Sequence, residues 1–315
     1  MSRDWQENIK KALDVSGAAS ALVQIEVDKV VAQLMDYKNP LRQNLPRKKG
    51  SGDAWYIVRR TPGSTGAAFV DDTDNLATLE ETGSYQRVSF PYKTLATRGK
   101  VTRKLQRIGM SYIDVLAAEI EAKTLEFRNK EDYAILMGDS DSNSKEFDGL
   151  DKLCKDYGQT VVTTSNAGGA AITLAKLDEV IDKVTAGEPD MIICSRRTRR
   201  QLTAALQASQ RFVNTVEVKG GFKLLAYNGI PIYVSTNIPD TGSFDGSDIT
   251  WDGNGDCSAL YVVSTDHVWV GVLTDVTVQP LAKTTTQYDE FEIIEDFTLV
   301  VRHPQAIARL VGISS

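Results

Sequence analysis

Residues 112–138 read YIDVLAAEIEAKTLEFRNKEDYAILMG, and this stretch sets the scale of the molecule. Ile113, Leu116, Ala117, Ile120, Thr124, Phe127, Ala134 and Ile135 recur at helical spacing, the pattern of one face buried along an amphipathic helix. Glu119/Lys123 and Glu126/Lys130 are favourable i,i+4 pairs on the other side. Gly138 supplies the stop. At 1.5 Å per residue such a helix reaches roughly 40 Å, longer than a typical globular helix. It reads as the backbone of something elongated.

The chain before it is extended. Ala54 to Arg60 (AWYIVRR) and Arg87 to Leu105 are β-prone by their aromatic and β-branched content. Between them lies a polar, turn-rich stretch with Pro62-Gly63, Asp71, Asp72, Asp74, Glu80 and Glu81. Two strands enclosing a long acidic tip describe a hairpin arm, with too few apolar residues to form a core by itself. Long loops in compact proteins are functional or disordered; here flanking strands favour an arm that needs a partner. Further upstream, Leu22, Ile25, Val27, Val30, Val31 and Leu34 give a loose helical face, which Pro40 should end. Pro40 to Asp53 (PLRQNLPRKKGSGD) reads as an extended arm outside the core.

After Thr160 the texture becomes α/β. Leu174 to Thr185 and Arg196 to Gln210 read as helices, and Met191 to Cys194, Ile230 to Thr236 and Ala259 to Ser264 as strands. Asp240 to Asp256, rich in Gly, Asp and Ser, is a surface loop. Val268 to Ile313 is nearly all strand-like.

The chain has 315 residues, a formal net charge of -6 and a sequence pI near 5.2. That balance argues against a surface dedicated to DNA, which needs an excess of Lys and Arg on one face. Cys154, Cys194 and Cys257 are odd in number and far apart, so free thiols in a reducing compartment are expected. No secretory signal and no apolar run of membrane-spanning length is visible. His267 and His303 sit at no metal-binding spacing. Nucleophile elbow, P-loop and dinucleotide fingerprints are missing from the sequence. Asp139-Ser-Asp141-Ser-Asn143 begins like a calcium loop, but Ser144 stands where Gly is needed and Leu150 where Glu is needed, so it reads as a helix-ending turn. No catalytic residue, cofactor or metal is expected.

Several local stretches resemble one family in the same order. Tyr37 to Leu45 (YKNPLRQNL), Met137 to Leu153, Pro189 to Leu202 (PDMIICSRRTRRQL), Gly221 to Pro239 (GFKLLAYNGIPIYVSTNIP) and Phe291 to Gly312 are similar to successive segments of tailed-bacteriophage major capsid proteins of the Hong Kong 97 fold. The resemblance implies an α+β architecture: an N-terminal arm (1–53), an extended β-hairpin or E-loop (54–105), a spine helix with part of a peripheral domain (106–160), an axial domain (161–267) and closing strands (268–315).

It also implies a structural role: self-assembly of hexamers and pentamers into an icosahedral head around double-stranded DNA, made in the host cytoplasm and resident in the virion. In the family, the hairpin of one subunit crosses the spine helix of its neighbour. Expected partners are further copies of the chain, a portal protein, a possible decoration protein and, since little chain precedes Pro40, a separate scaffolding protein or none. DNA contact should be nonspecific, with an inner face that repels the duplex. Lys93 and Lys100 lie where some relatives crosslink, but no motif singles them out and no crosslink is expected. Arg47, Lys48, Lys49, Arg59, Arg60 and Arg98 near the hairpin base, Asp71, Asp72, Glu80 and Glu81 at its tip, and Arg196, Arg197 and Arg200 at a helix start are the candidate inter-subunit contacts. Exposed pairs of this kind contribute about 0–1 kcal/mol each. An encapsulin-type shell and a two-domain α/β enzyme are the competing readings.

Overall fold

Asp114 starts the long helix. In the computed structural model, which describes residues 39–61, 69, 71–72, 83–109, 114–208, 214–218, 222–282 and 287–314, its carboxylate accepts from the Leu116 and Ala117 amides at 3.1 and 3.2 Å. That cap satisfies two of the orphan donors at a helix start. The helix, Val115–Met137, has 23 residues, or about 35 Å of length. Gly138 ends it, and the chain folds back so closely that the Gly149 amide donates to the Gly138 carbonyl at 2.8 Å. A Cβ on either glycine would run into the other strand of backbone.

Among the described residues, five further α-helices and fifteen strands, taken in chain order, surround this spine. They are α1 (Pro40–Asn44), β1 (Arg47–Lys49), β2 (Ala54–Thr61), β3 (Ser84–Pro91), β4 (Lys93–Thr102) and α2 (Arg103–Gly109), followed by the spine itself, α3. After it come α4 (Leu150–Asp156), β5 (Thr160–Val162), α5 (Leu174–Asp182), β6 (Met191–Cys194), α6 (Arg196–Ala208), β7 (Asn214–Val218), β8 (Phe222–Tyr227) and β9 (Ile230–Val234). Beyond these lie the short pair β10 (Ser243–Phe244) and β11 (Ile249–Thr250), then β12 (Ser258–Val263), β13 (Val268–Pro280), β14 (Tyr288–Val301) and β15 (Ile307–Ile313).

Two sheets carry the mass. One has strand order β1-β13-β14-β4, and α3 packs on its face through Phe127, Leu116 and Ile120 against Phe291, Ile293 and Leu95. The other has order β5-β15-β12-β6-β9-β8-β7. Its central strands are buried on both sides, as strands covered on two faces must be. On β12, Leu260 and Val262 face α5 and α6 through Leu177, Val180, Leu202 and Leu206, while Ala259, Tyr261 and Val263 face the core that also holds Ile135, Leu153 and Phe297. The second core spans both sheets, so they share one interior.

The hairpin is real but shorter than the sequence suggests. Strands β2 and β3 pair from Ala54↔Pro91 to Thr61↔Ser84. Lys93 to Thr102, read as the hairpin's continuation, instead pairs with β14 along its whole length. Nor is the hairpin base uncovered: Trp55 meets Trp269 edge-on at 5.8 Å, and Phe90 and Val300 are buried beside them. The expectation that 54–105 orders only under another copy is corrected to that extent.

Two other differences concern the ends. Pro40 opens a short helix, occupying the first-turn position where its missing N–H costs nothing. Leu41 and Leu45 are core residues and Arg47–Lys49 is a sheet strand, so 40–49 is no free arm. The closing strands 268–315 serve both sheets, β13 and β14 in the four-stranded one and β15 in the seven-stranded one. The helical reading over Leu22 to Leu34 lies outside the described residues.

Candidate assembly surfaces

Five charged side chains meet where 40–49 crosses the spine. Glu131, fully buried on α3, is ion-paired with Arg42 and, at 2.8 Å, with Arg47. Arg47 also pairs with buried Glu295 of β14. Asp132 accepts from the Arg42 amide and from Asn237 Nδ2, each at 3.0 Å. Burial pushes Asp132 up to about 6 and Glu295, with Glu131 adding repulsion, up to about 7. Glu295 Oε2 has no hydrogen-bond partner. Two guanidinium groups thus hold Glu131 and Glu295, while Asp132 is held by a backbone amide and Asn237.

A second buried cation clamps the C-terminal strand. Arg309 of β15 donates to Asp151 and Asp248 at 2.6 Å and to Thr160 at 2.9 Å. Burial opposes its charge, and Asp151 outweighs that and keeps the guanidinium protonated. Tyr261 and Trp251 donate to the same Asp151 at 2.9 and 3.0 Å. Asp151, Trp251 and Arg309 line a cleft of about 450 Å³ beside the Asp139–Asn143 turn. The turn's carboxylates are engaged locally, Asp139 by Ser142 and Asp141 by Lys152.

The candidate contact residues divide. Arg47 is spent inside the subunit. Lys48 lies 3.7 Å over the Trp269 ring, and Arg59 donates to the Val301 and Arg302 carbonyls at 2.7 and 3.1 Å. Arg98 pairs with Glu290, and Arg197 with Asp256 and Asp240. Arg60 sits 6.0 Å from the Tyr85 ring on the hairpin's outer side. Lys49, Arg196 and Arg200 are exposed, as are Asp71 and Asp72. Glu80 and Glu81 lie outside the described residues. Lys48 and Arg59 thus fasten the hairpin base to its own subunit.

Apolar exposure was the signal that charge reading missed. Strand alternation turns Trp55 and Ile57 inward and leaves Tyr56 44% and Val58 65% exposed, with Tyr85 across the ladder also exposed. Arg87 lies 4.0 Å over the Tyr56 ring. The outer side of the hairpin is therefore an aromatic and cationic strip open to solvent. A second such place is α2, where Leu105 is 50% and Ile108 63% exposed. Such surfaces bind other proteins more readily than small molecules.

The comparisons fit a surface built for assembly. A family model described as SU10 major capsid protein matches residues 78–314. Among solved structures, the holo-SrpI encapsulin complex from Synechococcus elongatus is similar at 14% identity and TM-score 0.70, covering 96% of each chain. The capsid of a native GTA particle is similar at 16% identity and TM-score 0.65, covering 95% of this chain and 99% of that one. A chain from Microbacterium phage Oxtober96 is similar at 16% identity and TM-score 0.66, covering 95% and 98%. No curated protein sequence matches. The shared fold is the Hong Kong 97 fold that the sequence resembles.

Proposed function

The chain belongs to the SU10 major capsid protein family, and from that premise we propose how its parts build a shell. It is a structural protein of a capsid, present in many copies. In our reading the copies form hexamers and pentamers of an icosahedral phage head around double-stranded DNA. They assemble in the host cytoplasm, with a portal protein, a separate scaffolding protein and a decoration protein as partners. The acidic chain supports a DNA contact that is nonspecific and weak, because net negative charge repels phosphate.

One observation carries the mechanical part: the outer strip of the hairpin, Tyr56, Val58 and Tyr85, stands exposed on a two-stranded ribbon. An isolated ribbon of this kind is marginal in water, and a neighbour's surface stabilises it. The inner side is already pinned by Trp55 and Arg59, so the hairpin is presented as a rod, and a neighbour covers only its outer side.

Sedimentation velocity and negative-stain microscopy of the purified full chain test this. Capsomers, tubes or closed shells are expected; a dispersed monomer at high concentration would overturn it. Shells that co-purify with one abundant cargo protein, and never carry nucleic acid when made alongside a packaging system, would turn the reading towards an encapsulin-type compartment.

A further inference from the structure

Few groups tie the segment 40–49 to the rest of the subunit. Leu41 and Leu45 enter the core, and β1 adds three residues to the edge of the four-stranded sheet. Three amides close the joint: Arg42 donates to Asp132 at 3.0 Å, Val270 to the Pro46 carbonyl at 2.9 Å and Gly50 to the Val272 carbonyl at 2.8 Å. Arg42 and Arg47 ride on this segment with 23% and 27% of their side chains in solvent. The carboxylates they answer, Glu131 and Glu295, are fully buried on α3 and β14. Cations and anions thus lie on opposite sides of one joint.

The charges in this joint do not balance. Glu131, Asp132 and Glu295 set three buried carboxylates against two guanidinium groups, and Arg47 is shared between Glu131 and Glu295. Glu295 Oε2 has no hydrogen-bond partner. A buried carboxylate oxygen without a donor is costly, and two carboxylates on one cation do not both ionise readily. The other elements around Glu295 bring no cation to it. Leu95 lies opposite on β4, and β13 presents the bulge Thr274–Thr277, whose Asp275 is exposed. On α3, Arg128 is exposed and Lys130 is engaged by Glu146. Burial and Glu131 raise Glu295 to about 7, and burial raises Asp132 to about 6, so a proton supplies the positive charge that the side chains lack.

We propose that this proton bolts a latch: segment 40–49 stays clasped to α3 and β14 while Glu295 is protonated, and lifts from them, with the rest of the subunit folded, when Glu295 is not. Lifting takes both guanidinium groups away together and opens the carboxylates to water, where Glu295 returns to its ordinary value near 4.5. Between that value and 7 the open form binds fewer protons than the closed one, so opening is favoured as pH rises and levels off above 7. Below 4.5 both forms hold the proton and pH has no effect through Glu295. Asp132 is shifted in the same direction and adds to the slope below 6. Every group concerned belongs to one chain, so the latch stands independently of the shell reading.

Amide hydrogen exchange of the full chain, corrected for the intrinsic rate at each pH, tests it. The Arg42, Leu45 and Gly50 amides read the latch, and the Leu260 and Val262 amides of the buried strand β12 read opening of the whole fold. The latch amides should be less protected than those of β12 at every pH. From pH 6 to pH 8 their protection in the wild type should fall about tenfold, whereas in Glu295→Gln it should fall by no more than about twofold, the part that Asp132 supplies. Equal protection of the latch and β12 in the wild type would show that the segment leaves only with the whole fold, and would overturn the proposal even if the variant does not fold. A wild-type latch indifferent to pH over this range, or a folded Glu295→Gln variant with the wild-type slope, would overturn it as well.

Discussion

At the scale of single residues, the buried charges set measurable behaviour. Glu295 ordinarily titrates near 4.5 and is raised to about 7 in the fold by burial and by the Glu131 carboxylate, with Arg47 and Arg42 opposing the shift. The folded state thus holds a proton that the unfolded state releases. Its contribution is complete below pH 4.5 and is lost as pH rises through 7, by roughly 1–3 kcal/mol. Glu295→Gln cannot ionise, so urea unfolding at pH 5 and pH 8 should show a smaller loss for the variant than for wild type. Equal losses would mean that Glu295 is not the group concerned. Arg309 makes the opposite case, a buried cation whose removal leaves Asp151 to Tyr261 and Trp251 and Asp248 to Lys155. Arg309→Met should cost about 3–5 kcal/mol, the range for breaking one side of a buried pair. A denaturation midpoint near the wild-type value would show that water enters to solvate Asp151 and Asp248.

At the scale of elements, close packing explains which residues are required. Gly99 on β4 faces Phe291 on β14, whose ring covers the glycine so completely that a Cβ would collide with it. Gly99→Ala should therefore destabilise by about 1–3 kcal/mol through displaced packing, with the loss read by thermal unfolding; no change would mean the ring swings aside freely.

What the sequence disclosed follows the same logic of locality. The spine helix was legible because its period and its glycine stop lie within the stretch itself. The Asp114 cap went unread, because the helical pattern reads as beginning at Tyr112. The fate of β4 was not legible, because strand-prone residues 93–102 read alike whether they pair with β3 or with a strand almost 200 residues later. Arg47 looked like a free cation on a polar segment for the same reason: its partners are Glu131 and Glu295. Pro40 was ambiguous in principle, since the ring that stops one helix can open another. The exposed apolar side chains of the hairpin could have been suspected from Tyr56 and Val58, which make β2 apolar on both faces.

At the scale of the whole molecule, folding and assembly draw on separate parts of the chain. The cores lie in the two sheets and the helices on them, and the described part of the 62–82 connection contributes no buried side chain. Thr61 and Ser84 are cross-strand partners, so a two-residue Asn-Gly turn can join them without a register change. Replacing 62–83 with that turn shortens the closed loop by more than three doublings, which should stabilise the subunit by about 2 kcal/mol. The same deletion removes every carboxylate of the tip. Stability and assembly should then move in opposite directions: a higher denaturation midpoint, and a chain that sediments without forming shells where wild type forms them. Shells from the deleted chain would show that the outer strip of the hairpin suffices for assembly. A lower midpoint would show that the connection packs on its own subunit, and the separation of the two functions would fall.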